Sequence, residues 1–185
     1  MTSATSSLGQ GDYQVRFDWA AAGAHEIGAS ADVTVWVDVL EARLPDADIR
    51  GLIVAGSLRN RTAVARWALQ RQGDAGDRFT IAVVAAGDTR ADGSTRFALE
   101  DLLASGAIID ALADVGIDYC SPEAAAAAAA FTGLRNATGH LIGSSVSGRM
   151  LAEAGRRADI AHAIDLDVSG EVPVIWNHPP NDKVY

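Results

Sequence analysis

Three groups of residues in this chain have the types and spacing to handle an anion and a metal ion. The first is Gly56-Ser-Leu-Arg-Asn60, set between the apolar run Leu52 to Ala55 and a segment from Thr62 whose apolar residues recur at helical spacing. It offers a hydroxyl (Ser57), a guanidinium (Arg59) and an amide (Asn60) beside the N–H groups of a helix start, which suits a phosphate. An ordinary strand-to-helix turn with Asn60 as its N-cap would use the same residues. The second group is acidic. Asp38 ends the apolar run Val33-Thr-Val-Trp-Val, Asp88 follows Ala85-Ala-Gly, and Glu100 and Asp101 open a long helix. A carboxylate such as Asp38 at a strand's carboxyl end lies where α/β proteins bind ligands, or it caps the turn that follows. If Asp38, Asp88 and one of Glu100 or Asp101 converge, their oxygens suit Mg²⁺ with a bound phosphate. Glu100 and Asp101 also complement the positive end of their helix, and adjacent helical side chains diverge by about 100°. The third group, Ser144-Ser-Val-Ser-Gly-Arg149, leads hydroxyls to an arginine at a helix start, with Ser147 as cap in the plainer reading.

These groups need a frame. Strands are expected at Gln14 to Trp19, Val33 to Leu40, Leu52 to Ala55, Thr80 to Ala85 and Val172 to Trp176. The first alternates Val15, Phe17 and Trp19 against Arg16 and Asp18, as an edge or half-exposed strand does; the runs at 33–40 and 80–85 read as strands covered on both faces. Helices are expected at Thr62 to Gln72, closed by the turn Gly73 to Gly76, and at Phe97 to Asp114. A third begins at Ser121-Pro122, with Ser as cap and Pro in the first turn, and shorter ones follow at Ser147 to Glu153 and Asp159 to Ala163. The run Ala124 to Ala130 is simple in composition, but alanine favours helix. Strands alternating with helices predict a three-layer α/β/α domain with a mixed sheet. The expected organisation is a disordered lead-in at 1–11, one domain at 12–180 and a tail at 181–185.

Composition narrows the partners. With 15 basic against 24 acidic residues, the net charge of −9 repels a polyphosphate backbone, so nucleic acid is an unsuitable partner. Cys120 is the sole cysteine, which excludes an intramolecular disulfide. No apolar stretch reaches the length of a membrane span, and a cytoplasmic protein is expected. His25, His140, His162 and His178 are scattered, with surface or packing roles expected.

Taken in order, several segments resemble the 2-phosphosulfolactate phosphatase family, of ComB type. They are Tyr13 to Trp19, Val37-Asp-Val-Leu40, Gly56 to Asn60 with Ala63-Val-Ala65, and Ala85 to Asp88. Further matches are the block from Asp92 to Leu103 with Ala104 and Gly106, Ser147-Gly-Arg149, and Asp167 to Pro173. The resemblance implies that family's α/β fold and Mg²⁺-dependent hydrolysis of a phosphate monoester. The family's named substrate is a sulfonated three-carbon acid on the route to coenzyme M. On this reading Asp38, Glu100 and Asp101 are the carboxylates expected to bind metal or activate water, with Asp88 as a further metal ligand. Gly56, Ser57, Arg59 and Asn60 would hold phosphate, and Arg149 the substrate's carboxylate or sulfonate. A small phosphorylated acid is the implied partner, and a homo-oligomer the expected assembly. Two departures stand out. Asp88 replaces the usual Glu, and Leu40 runs through Glu41 to Arg50 almost directly into Leu52, without the hydroxyl-rich motifs and strands that family members carry there. A catalytically inactive relative that binds an anion or serves as an oligomeric structural protein is the alternative.

Overall fold

The computed structural model describes residues 7–45 and 49–178. Its strands are β1 (Val15–Trp19), β2 (Val33–Val37), β3 (Gly51–Gly56), β4 (Ile81–Ala85), the short hairpin β5 (Asp88–Thr89) and β6 (Thr95–Arg96), and β7 (Val174–His178). Its helices are α1 (Ala20–Gly28), α2 (Arg61–Ala75), α3 (Leu99–Asp114), α4 (Pro122–Leu134), α5 (Thr138–Ser144), α6 (Val146–Glu153) and α7 (Arg157–Ala163). Five strands form a mixed sheet in the order β1-β4-β2-β3-β7, parallel except for β7, which runs antiparallel to β3. Helices cover both faces, as the alternation of elements predicts.

The continuous apolar runs become the central strands because only a strand covered on both sides can bury them. Every residue of β2 and β4 is buried. The larger core lies between the sheet and α2, α3 and α4, around Val35, Val83, Leu103, Ile108 and Leu112. A smaller one, with Ile27, Trp36, Ile53 and Val84, lies under α1 on the opposite face. Ser121 caps α4 as expected, its Oγ accepting from the Ala124 N–H at 3.1 Å, with Pro122 in the first turn. No helix among the described residues is long and apolar enough to cross a membrane.

The structure corrects several expectations. The helix starting near Thr62 continues through Gly73 to Ala75. Gly76 then ends it in the left-handed conformation (φ 67°), donating its N–H to the Gln72 carbonyl. The cap of α6 is Ser145, whose Oγ accepts from Gly148 at 3.1 Å; Ser147 instead accepts from Arg96. Helix α1 carries no strong periodic signal in sequence and is held by Ala24 and Ile27 against the sheet. Arg16, expected on a half-exposed face, is 2% exposed. Its guanidinium donates to the carbonyls of Tyr13 and Ile27 and to Ser30, so it satisfies the last turn of α1. Burial pulls that guanidinium below its ordinary value, partly offset by Asp32. Part of the expected lead-in is ordered. Ser7–Gly9 form a 3-10 turn, and the Gln10 amide exchanges two hydrogen bonds with the backbone of Phe17 on β1. Residues 1–6 and the tail at 181–185 lie outside the described residues.

Candidate active site

Register places the candidate groups at one end of the sheet. Val37 pairs with Gly56 on one side and with Ala85 on the other. The residues that follow, Asp38, Ser57 and the Ala86-Gly87-Asp88 turn, therefore emerge side by side at the carboxyl ends of β2, β3 and β4, where open α/β sheets form clefts. A cavity of about 380 Å³ there is lined by Asp38, Gly56, Ser57, Arg59 and Asn60. Asp159, His162 and Glu171 complete its polar wall. His162 thus belongs to the cavity rather than to an unrelated surface; nothing in its local sequence signals this, since α7 carries it there from 100 residues away.

Asn60 stands at the N-cap position of α2, but its side chain does not cap the helix. Its Oδ1 accepts from the Ser57 N–H at 2.9 Å and the Ser57 hydroxyl at 3.1 Å. Its Nδ2 donates to Ala55 and Glu171 carbonyls at 3.0 Å each. At 5% exposure this amide is fully used, fixing the turn against the segment that precedes β7. The cap comes from Asp167, whose Oδ1 accepts from the Thr62 N–H at 3.0 Å while Oδ2 takes the Arg61 Nε at 2.8 Å. Burial works against the Asp167 charge, but the bonds from Thr62 and Arg61 outweigh it and hold the carboxyl below the usual range. Asp167→Ala is expected to lower stability by about 0.5–2 kcal/mol, the ordinary value of a helix cap, and Asp167→Asn by less. Asn keeps the acceptor and tolerates the left-handed backbone here (φ 54°). Thermal melts of the two variants check this; equal losses would contradict the capping role.

Arg59 donates through Nη1 to the His162 carbonyl at 2.6 Å and to Asp165 at 3.0 Å. Its Nε and Nη2 make no hydrogen bond among the described residues, leaving donors available beside the cavity. Gly56 has a packing reason as well. A Cβ there would lie 2.5 Å from Val35 Cγ1 and 2.7 Å from Ile108 Cδ1, so only glycine lets α3 sit beneath this end of β3. Arg149 is exposed on α6 and is not among the residues that line the cavity.

The carboxylates are near one another but already engaged. Asp38 Oδ1 accepts from the N–H groups of Glu41 and Ala42 at 3.1 and 3.2 Å. Its Oδ2 accepts from Arg43 N and Nε, both at 3.1 Å. Asp38 therefore both caps its turn and borders the cavity. Asp101, 2% exposed, accepts from Val39 N at 2.9 Å and Gly87 N at 3.0 Å, tying the loop after β2 to the loop after β4. Burial, then the neighbouring Asp38 charge, push its carboxyl well above the usual range. Asp88 is bound by Arg96 and, at 3.3 Å, by Arg43. The Arg96 bond is the main reason its carboxyl sits below its ordinary value. Glu100, 3% exposed, makes no hydrogen bond among the described residues.

A Mg²⁺ ion needs near-octahedral oxygen ligands with free lone pairs at about 2.0–2.1 Å. Asp38, Asp88 and Asp101 direct theirs to N–H donors, and no group of three His, Cys, Asp or Glu among the described residues is arranged to hold a metal. As folded, the set expected from the sequence does not fit Mg²⁺.

The comparisons agree with the ancestry that the segments suggest. The model of the family described as 2-phosphosulpholactate phosphatase matches residues 46–178, more than two thirds of the chain. That span includes the Gly56 to Asn60 turn, Asp88, Glu100, Asp101 and Arg149, whereas Asp38 and the Tyr13 to Trp19 strand precede it. No curated protein matches the chain. The chain belongs to the 2-phosphosulpholactate phosphatase family.

Proposed function

We propose that the protein is a phosphatase-type hydrolase acting on a small phosphorylated hydroxy acid in the cavity between Asp38 and the Gly56 to Asn60 turn. The observation that carries this reading is the convergence of Asp38, Gly56, Ser57, Arg59 and Asn60 on one cavity, within a chain of this family. Arg59 would hold phosphate oxygens with its unpaired donors, and the Ser57 hydroxyl would assist from the neighbouring turn. Asn60 would act by keeping that turn in shape. Asp38, which borders the cavity, would orient water or substrate. The Mg²⁺ that the family resemblance implies does not fit the carboxylates as folded, so no step is routed through it. A homo-oligomer in the cytoplasm belongs to the same reading.

The test is phosphate release from a panel of phosphorylated hydroxy acids, with and without Mg²⁺. Arg59→Ala is expected to raise KM by about tenfold to a hundredfold, the value of one to two charge-assisted hydrogen bonds. Asp38→Asn is expected to abolish release while the protein still melts cooperatively. No release from the parent protein across the panel, or undiminished release from Asp38→Asn, would refute the proposal.

A second reading has its own support: the cavity edges are already neutralised from within, by Arg43 on Asp38 and by Asp165 on Arg59. A non-catalytic relative that binds a small anion would behave so. It predicts a rise in melting temperature with phosphate or sulfate through linkage, without turnover.

A further inference from the structure

The segment after β2 is built to deliver one guanidinium to one place. Asp38 gathers the N–H groups of Glu41, Ala42 and Arg43 into a tight loop. Ala42 accepts a left-handed conformation (φ 51°), which is costly for a residue with a Cβ. Trp36 Nε1 donates to the Arg43 carbonyl at 2.9 Å and anchors the loop from inside the fold. The Arg43 side chain then turns back over the strand ends. Its Nε meets Asp38 Oδ2 at 3.1 Å, Nη1 meets Asp88 Oδ1 at 3.3 Å, and Nη2 donates to the Gly87 carbonyl at 2.5 Å. Glu41 approaches the Nε from outside at 3.3 Å. Two carboxylates and a backbone carbonyl thus surround one guanidinium, with oxygens of the hard kind that a divalent ion takes. Here that place is filled by a charge on the chain itself.

We propose that Arg43 is the resident cation of the Asp38–Asp88–Gly87 oxygen set and stands in place of a divalent metal ion. A planar fork satisfies three oxygens at hydrogen-bond length without the short, octahedral contacts Mg²⁺ requires. Asp38 belongs to both this oxygen set and the cavity, but exclusion of the metal is read from metal binding and not from turnover, so its failure is distinguishable from failure of the proposed hydrolysis.

The experiment is Mn²⁺ binding followed by electron paramagnetic resonance, with Mg²⁺-dependent thermal shifts in parallel. The wild-type protein is expected to show no site lost on Asp38→Asn or Asp88→Asn, and no Mg²⁺-dependent shift. Arg43→Ala removes the charge shared by Asp38 and Asp88, leaving Arg96 on the other Asp88 oxygen, and is expected to bind Mn²⁺ at least about tenfold more tightly than wild type. Adding Asp88→Asn to that variant should abolish the gain, and Arg43→Lys should stay metal-insensitive. A wild-type Mn²⁺ site that disappears in Asp88→Asn would overturn the proposal, and this arm decides even if Arg43→Ala does not fold. A folded Arg43→Ala that binds no more Mn²⁺ than wild type would overturn it equally.

Discussion

Asp101→Ala is expected to lower the unfolding free energy by about 2–4 kcal/mol, because it orphans two backbone donors at about 1–3 kcal/mol each, less the relief of a buried charge. The Val39 and Gly87 N–H groups both end on this one side chain, and the Gly87 bond is fully buried. The pH dependence follows from the direction of its shift. Its folded carboxyl titrates well above the usual range, so the native state holds the proton more tightly than the unfolded chain. Its contribution to stability is therefore fully present below the unfolded value, about 3.9, and is lost as pH rises through the folded value. Urea unfolding of wild type and variant at pH 5 and pH 8 should show a smaller difference between them at pH 8. A difference that grows toward pH 8 would mean that the ionised carboxylate, not the protonated one, is the form the fold prefers. Asp88 and Asp167 are shifted the other way, and their contributions disappear only on acidification below the ordinary carboxylate value.

This behaviour marks Asp101 as a clasp between two loops, which its position in the sequence only half reveals. The adjacent pair Glu100-Asp101 is visible as a carboxylate cluster, and the helix start beneath it offers a local reason for both. What sequence spacing does not carry is the destination of the Asp101 oxygens, 62 and 14 residues away along the chain. The same holds at the other end of the cavity. The Gly56 to Asn60 turn is legible because strand, turn and helix signals are local. Its cap is not, since Asp167 reaches Thr62 across 105 residues. Strands β2 and β4 could be read because burial on both faces demands continuous apolar residues. Arg16 could not, because its alternating pattern is that of a solvated face, and only α1, itself weakly periodic, converts that face into an interior one.

The candidate site shows the same division between residue type and residue partner. Asp38, Gly56, Ser57, Arg59 and Asn60 are recognisable by type and order, and they do line one cavity. Whether a carboxylate is open to a metal or already satisfied depends on which donors the fold brings to it. Arg43 sits in a stretch with no motif at all, and it acquires meaning only through the loop that Asp38 folds around itself. The family match describes residues 46–178, so Asp38 and Arg43 lie before the matched span.

Gly106→Ala should be among the most damaging single substitutions in the protein, although helix propensity alone predicts the opposite. Replacing a mid-helix glycine by alanine ordinarily stabilises by about 1 kcal/mol. Gly106, however, faces the backbone of α4 at close range. A Cβ there would run into the carbonyl of Ala127, 2.8 Å from its carbon, and would lie 2.9 Å from Phe131 Cβ. Ala127 is backbone within a helix and cannot rotate away, so the two helices must separate and loosen the buried layer formed by Ile108, Ile109, Ala124 and Phe131. Overpacking of this kind costs about 1–3 kcal/mol or more, which outweighs the propensity gain. Gly133 supplies the internal control. It lies on the exposed side of α4 with nothing within 4 Å of an added Cβ, so Gly133→Ala should raise stability by up to about 1 kcal/mol. Denaturant midpoints of the two variants should therefore move in opposite directions. If Gly106→Ala instead gains stability like Gly133→Ala, α3 and α4 stand farther apart than these contacts require.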